Sequence, residues 1–376
     1  MKSPWAQARN ILAVRLDSLG DVLMTSPALC AIKHSAPDIR LTLLTSPAGA
    51  PAARLLEAVD DCIPCADPWA DAAPPSAPRK SRSLVERLAE GRFDAAVIFT
   101  ACTQSALPAA LACRRAGIPL RLAHARENPY ALLTDWVCDA DTWGTGMRHE
   151  VQRQLDLVRQ VGYDTTDDRL HLHYAPEDAW SMRELLAAAG GRMAVPYLVV
   201  HPGANALSRR YPARRYGHAA DVLAARTGYQ VVFTGSADEA GLIAEAGACM
   251  QSPFVNLAGR LQLGQLAALI AGAQALLCNN TGPAHMAAAL GTPVVVLYAL
   301  TSPQHTPWRA RAQVLSHDVP CRNCLKSTCP ETHHACLERI EVPSVVDAVL
   351  AVLDTPPAMP LSSMGRMEHC PWALHG

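Results

Sequence analysis

Hydrophobic and polar positions along the chain fall into short, solid apolar blocks separated by longer amphipathic or small-residue stretches, and the rhythm occurs twice. In the first half an apolar run at 11–16 meets a glycine-containing turn at 17–21. A helix-like stretch follows through Lys33, with further apolar blocks at 41–44 and 95–99. The second half is plainer: strands at 197–201, 230–233, 254–257, 275–278 and 293–298 alternate with helical patterns at 216–226, 239–249, 263–272 and 283–290. Solid apolar runs of strand length, interleaved with helices, specify parallel strands covered on both faces, so each half is expected to be a doubly wound α/β unit. A helical stretch ending in Gly190 and Gly191, punctuated by Pro176 and Pro196, predicts the linker between them.

Composition supports two cores: 376 residues, half of them hydrophobic, exceed what one ordinary core holds. Lys and Arg total 33 against 34 Asp and Glu, a net charge of -1, so the chain has no overall basic field with which to hold nucleic acid or an anionic membrane. The first apolar run is broken by Arg15 and Asp17, and no later run reaches spanning length, so the chain reads as cytoplasmic. The proline-rich segment 66–83, with Arg79, Lys80 and Arg82, reads as a mobile loop. The tail from 354 onward reads as frayed.

Thirteen cysteines are many for a chain expected in a reducing compartment. Nine are scattered and act as small hydrophobes. Cys321, Cys324, Cys329 and Cys336 are bunched beside His333 and His334; a structural zinc site, disulfides and free thiols all remain open for them.

In open α/β sheets ligands sit outside the carboxyl ends of the strands, so the loops after strands are where chemistry is expected. Asp21 follows Gly20 where a helix, or a short turn leading to one at Ser26-Pro27, should start; a carboxylate there is kept ionised and suits a general base. Taken alone, it is better accounted for as a helix N-cap. Arg209, in Ser208-Arg209-Arg210-Tyr211-Pro212, could hold a phosphate bidentately, although plain exposed arginine explains it equally well; Glu239 could accept from ribose hydroxyls, but taken alone it is better accounted for as helix-start acidity. The strongest element is Asn279-Asn280-Thr281-Gly282-Pro283-Ala284-His285, between a strand and a small-residue helix. Its first-turn N–H groups and the Thr281 hydroxyl make an anion site.

Together these stretches, ILAVRLDSLGDVLMTSPAL, HPGA, SRRYP, FTGSADE and NNTGPAHMAAALGTPVVVLY, resemble glycosyltransferase family nine, the ADP-heptose:lipopolysaccharide heptosyltransferases. The resemblance spans roughly 11–353. It implies an α/β GT-B architecture of two Rossmann-like domains facing a central cleft: an acceptor domain over 1–175, a linker over 176–196, a nucleotide-sugar domain over 197–353 and a tail over 354–376. The C-terminal helix at 342–353 would lean back toward the first domain. The implied reaction is inverting transfer of a sugar, heptose from ADP-heptose foremost, from a nucleotide-diphosphate donor to a glycan or lipid-linked acceptor hydroxyl of the lipopolysaccharide core or a related glycan. At most a peripheral membrane contact is implied.

In that scheme Asp21 is the base and Arg209 stabilises the leaving diphosphate. Asn280, Thr281, Gly282 and His285 lie at the diphosphate, and Glu239 meets the nucleoside. No metal cofactor is required, because arginine and helix N-terminal donors can meet the leaving group's charge. Asp139-Ala140-Asp141 resembles the metal-binding triplet of other transferases but lies outside the nucleotide half, and is read as coincidence. The family commonly has Asp where this chain has Asn280, and Trp where it has Tyr211. A non-catalytic nucleotide-sugar-binding scaffold, a transferase using another nucleotide sugar, and a thiol-based metal or redox module are the alternatives.

Overall fold

The computed structural model describes residues 3–66, 83–101, 104–139, 141, 147–299, 301 and 303–354. Most of the proline-rich loop expected at 66–83 and nearly all of the tail lie outside the described residues.

The first domain is a six-stranded sheet in the order β3-β2-β1-β4-β5-β6, built from β1 (Asn10–Arg15), β2 (Arg40–Thr45), β3 (Asp61–Pro64), β4 (Ala95–Ile98), β5 (Leu120–Ala125) and β6 (Asp135–Cys138). Helices α1 (Leu19–His34), α2 (Ala50–Ala53), α3 (Leu84–Glu90), α4 (Leu107–Arg115) and α5 (Glu150–Arg159) accompany it. All its pairings are parallel, with Ile11 opposite both Leu41 and Ala95. α6 (Pro176–Ala188) follows.

The second domain repeats the plan with β7 (Tyr197–His201), β8 (Gln230–Phe233), β9 (Phe254–Asn256), β10 (Ala275–Asn279), β11 (Val294–Leu297) and β12 (Ala312–Leu315), ordered β12-β11-β10-β7-β8-β9. Its helices are α7 (Ala213–Thr227), α8 (Ala240–Gly247), α9 (Leu263–Ala271), α10 (Gly282–Leu290), α11 (Ala335–Glu338) and α12 (Val342–Asp354). Both sheets reverse winding direction at a central pair, β1/β4 in one and β7/β10 in the other, and crevices for ligands open at such reversals. The expected pair of doubly wound units is therefore present.

The strands without a solid apolar run are those the hydrophobic pattern does not mark. β3, β6 and β12 are sheet edges with half-buried or exposed side chains, and β5 carries Arg121 and His124 among its apolar positions. α1 begins earlier than expected, at Leu19, and is one continuous helix containing Pro27. Proline has no N–H for the Leu23 carbonyl, but Ser26 Oγ donates to that oxygen at 2.6 Å, so the missing bond is replaced locally.

α6 packs on α9, with Gln265 Nε2 donating to Ser181 Oγ at 3.0 Å. The helix expected to lean toward the first domain does not do so. The buried face of α12, Val345, Val346, Val349 and Val352, lies in the second domain's own core with Tyr216 and Leu223 of α7. The first domain is instead met by α10, whose Ala284, Met286 and Ala287 share a core with Val22 and Leu23 of α1. It is also met by the loop after β11. There Trp308 lies against the His149 ring at 4.4 Å and donates to the Asp168 carbonyl at 2.8 Å, while His149 Nε2 lies 2.9 Å from the Thr306 carbonyl.

Candidate active site

The N-termini of α1 and α10 point at each other across the cleft, and two glycines let them do so. A Cβ on Gly20 would come 2.8 Å from the His285 ring, and one on Gly282 would come 2.6 Å from the Leu19 side chain, both closer than real Cβ contacts. Between the two helices lies a cavity of about 100 Å³. Ser18, Gly20, Asp21 and Met24 line it from the first domain; Arg209, Asn280, Thr281, Gly282, His285, Thr301 and His305 line it from the second. Six of the seven residues singled out from sequence for catalysis or donor binding thus share one cavity. Glu239 is the exception, and it stands on the 3-10 turn Ala237–Glu239 that follows β8.

Asp21 is not the N-cap of α1. Ser18 holds that position, and Asp21, three residues on, accepts from the Ser18 N–H at 3.2 Å and the Ser18 hydroxyl at 2.7 Å. Its other oxygen lies 3.4 Å from Nη2 of Arg15, which also pairs with Asp17 at 3.0 Å and with Glu150 at 2.9 Å. Burial pushes the Asp21 carboxyl up, but Arg15, His305, the Ser18 bond and His285 outweigh it and hold the group below the ordinary carboxylate range. Asp17 moves the other way, raised by burial and by the neighbouring Asp21 charge against the pull of Arg15. The two adjacent acids are thus pushed apart, with Asp21 the one held in its charged form.

On the opposite wall, Arg209 sits on a 3-10 turn, Leu207–Arg209, and donates to the Asn280 carbonyl at 3.4 Å. Its Nε is buried without a hydrogen-bond partner, and burial lowers its pKa while leaving it cationic. Such an arginine is ready to donate to an anion. Thr281 caps α10 in an extended conformation with no side-chain cap bond; Pro283 has no N–H and the Ala284 N–H is taken by the Thr281 carbonyl at 3.0 Å, so the first-turn donor on the cavity wall is the Gly282 N–H. His285, fully buried, is lowered to about 4, by burial first and also by His305, His149 and Arg209, and is therefore neutral at pH 7.

Asn280 lines the cavity, and its side chain also has a structural part. Its amide donates to Thr301 Oγ1 at 2.6 Å and to the Ala299 carbonyl at 3.4 Å, tying down the loop after β11. Asn279 is the hub beneath it. Its amide oxygen accepts from the Tyr211 N–H at 3.1 Å and the Tyr216 hydroxyl at 2.9 Å, and its nitrogen donates to the Pro202 carbonyl at 2.7 Å. Tyr211, in the place of the usual Trp, is buried edge-on against Tyr216 at 5.3 Å and bonds the Ile340 carbonyl, so the aromatic role is kept. Glu239 accepts from the Ser236 N–H at 2.8 Å and lies so close over Gly203 that no side chain would fit there. It raises the His201 pKa against the lowering by burial.

The zinc expectation finds no support. The four cysteines are free thiols around a void of about 20 Å³, and among the described residues no group of three His, Cys, Asp or Glu side chains is arranged to hold a metal ion. Burial, then the neighbouring thiols, push Cys336 up and so disfavour thiolate there. The segment docks instead on the Arg209 turn, where the Ser208 hydroxyl donates to the Lys326 carbonyl at 2.6 Å. Asp139 and Asp141 are spoken for by arginines: Asp139 pairs with Arg153 at 2.9 Å and Asp141 with Arg148 at 3.1 Å.

Sequence reasoning missed Arg15, Glu150 and His305. A charged residue closing an otherwise apolar strand was the available signal for Arg15; Glu150 and His305 lie far away in sequence and carry none.

Two doubly wound domains meeting at their winding reversals make a GT-B fold. The chain belongs to glycosyltransferase family 9 (heptosyltransferase), whose model matches residues 81–335. It is 29% identical to lipopolysaccharide heptosyltransferase 2 of Escherichia coli K12, over 92% of this chain and 98% of the relative. It is 30% identical to lipopolysaccharide heptosyltransferase 1 of Pseudomonas aeruginosa, over 85% and 87%. The solved family 9 glycosyl transferase of Veillonella parvula shares the fold at a TM-score of 0.74, with 22% identity over 92% of this chain and 97% of that one. E. coli ADP-heptose lps heptosyltransferase II does so at 0.70, with 24% identity over 92% and 98%. The protein is thus a glycosyltransferase. Among the described residues no helix is long and apolar enough to cross a membrane.

Proposed function

We propose that this enzyme transfers heptose from ADP-heptose to a hydroxyl of the lipopolysaccharide core or a related glycan, with inversion and without a metal ion. The observation that carries the reading is the opposition of Asp21 to Arg209 and the α10 N-terminus across one small cavity. The names of the relatives, which include lipopolysaccharide heptosyltransferases 1 and 2, support the sugar and the acceptor class. The ADP held by a solved E. coli heptosyltransferase of the same fold supports an adenosine-diphosphate donor.

In this reading Asp21 takes the proton of the acceptor hydroxyl as its oxygen bonds to the anomeric carbon. The bond from that carbon to the donor's diphosphate breaks, and the electron pair leaves on the phosphate oxygen. Arg209, the Thr281 hydroxyl and the Gly282 N–H at the start of α10 stabilise that charge. Attack from the α1 wall and departure toward the α10 wall constitute a single displacement, hence inversion. His285, neutral, donates or accepts a hydrogen bond without adding charge, and Glu239 meets the nucleoside.

The first domain, 1–175, then holds the acceptor and the second, 197–353, the donor. A near-neutral chain suffices because the only polyanion to be held is one diphosphate. The enzyme works in the cytoplasm, at the inner membrane face if its acceptor is lipid-linked. Asn280, standing where the family commonly has Asp, holds the loop after β11 through its amide. Incubation with ADP-heptose and a heptose-deficient core acceptor tests the proposal: ADP release matched by product mass is expected, and donor binding without transfer to any core acceptor refutes it.

A further inference from the structure

We propose that Glu150 is a positioning residue for Asp21, acting through Arg15 to fix the direction of the base's carboxylate. This rests on the reading of Asp21 as the base. Arg15 and Glu150 are both completely buried, on β1 and at the first position of α5, elements that are far apart in sequence. The guanidinium spreads over three carboxylates, reaching Asp17 with Nε, Asp21 with Nη2 and Glu150 with Nη1. Glu150 Oε1 also accepts from Gln154 Nε2 at 2.6 Å, and Gln154 is anchored on the Thr100 carbonyl just past β4.

Neither Arg15 nor Glu150 lines the cavity, so neither can touch a reacting atom. Burying two charges costs more than an apolar pair of the same size would, and their use directly behind a base is accounted for by orientation. The charged and titratable groups facing Asp21 are Arg15, Asp17, Glu150, His285, His305 and Arg209. Those facing Glu150 are Arg15, Asp17, Asp21, Arg153, His149 and His305. Arg15 is the only cation that contacts Asp21 directly among the described residues. Without Glu150 its guanidinium is free to turn toward Asp17, and Asp21 loses its second anchor.

Glu150→Gln keeps the shape and the Gln154 contact but removes the anion. The expected result is a loss of about 10-fold in kcat with KM for donor and acceptor within about 2-fold. The second readout is a cycle with Asp21→Glu, which already displaces the carboxylate from Arg15: in that background Glu150→Gln should cost less than about 2-fold. A purely structural Glu150 predicts the same loss in both backgrounds. Equal losses, an unchanged kcat, or a change confined to KM overturns the proposal. If Glu150→Gln does not fold, Arg15→Lys, which keeps the charge but loses the fork, is put through the same cycle with the same expectations. Asp21→Asn separates the two levels: an active Asp21→Asn removes the base assignment itself, whereas an inactive one beside an unimpaired Glu150→Gln removes only the role of Glu150.

Discussion

Arg209→Met separates catalytic from structural work at the donor wall. The guanidinium is largely withdrawn from water, donates only to the Asn280 carbonyl at 3.4 Å, and leaves Nε buried without a partner. Among the described residues no carboxylate lies within ion-pair distance of it. Its pKa is lowered by burial, which means that the folded protein without ligand bears the cost of holding that charge. Removing a partnered buried charge costs about 3–5 kcal/mol; removing an unpartnered one and keeping the apolar stem should cost about 1 kcal/mol or less, or even stabilise.

The deficit should appear with the ligand instead. Loss of a preorganised donor to a developing charge costs about 3–4 kcal/mol, roughly 100- to 1,000-fold in kcat. ADP at about 100 times its Kd should stabilise the wild type by about 2.7 kcal/mol, and the same ADP concentration should stabilise the variant far less. Urea unfolding with and without ADP, beside an ADP-release assay, measures all three quantities. A variant destabilised by about 3 kcal/mol without ligand and retaining most of its kcat would show that Arg209 is structural and refute the reasoning.

Asn279→Ala removes four buried hydrogen bonds and leaves the Tyr216 hydroxyl, the Tyr211 N–H and the Pro202 and Gly203 carbonyls without them, so urea unfolding should show a loss of about 3 kcal/mol. Gly282→Ala places a methyl 2.6 Å from Leu19 Cδ2; a stability loss of about 1–2 kcal/mol and a weaker Kd for ADP by calorimetry are expected, and wild-type values for both would show that the helix N-termini tolerate separation. His285 has a folded pKa of about 4, below its unfolded value near 6.5, so the unfolded chain binds more protons between those values. Its contribution to stability is complete above about pH 6.5 and is lost as pH falls toward 4, and His285→Gln should flatten the decline measured by urea midpoints across that window.

How much of this was legible depended on where each determinant lies. The strand-to-loop junctions carry their chemistry in contiguous residues, so Asp21, Arg209 and the Thr281-Gly282 turn could be found from the run of the chain. The central strands were equally plain, because burial on both faces demands solid apolar blocks. Edge strands β3, β6 and β12 face solvent and lack that demand, so their pattern is diluted. Residues that act across the fold left no local trace: Glu150 reaches Arg15 from 135 positions away, and His305 enters from a loop whose course depends on Trp308 and His149. The destination of α12 was missed for a related reason. Its valine face shows that it packs, but not against which domain.

The central claim is that Asp21 and the α10 wall act on one donor and one acceptor in the same cavity. The most direct test is ADP release from ADP-heptose with a heptose-deficient lipopolysaccharide core, comparing the wild type with Asp21→Asn at equal occupancy of ADP-heptose. The account predicts turnover by the wild type, unchanged donor binding in the variant, and a loss in kcat of at least about 1,000-fold. Turnover by Asp21→Asn within about 10-fold of the wild type would contradict it.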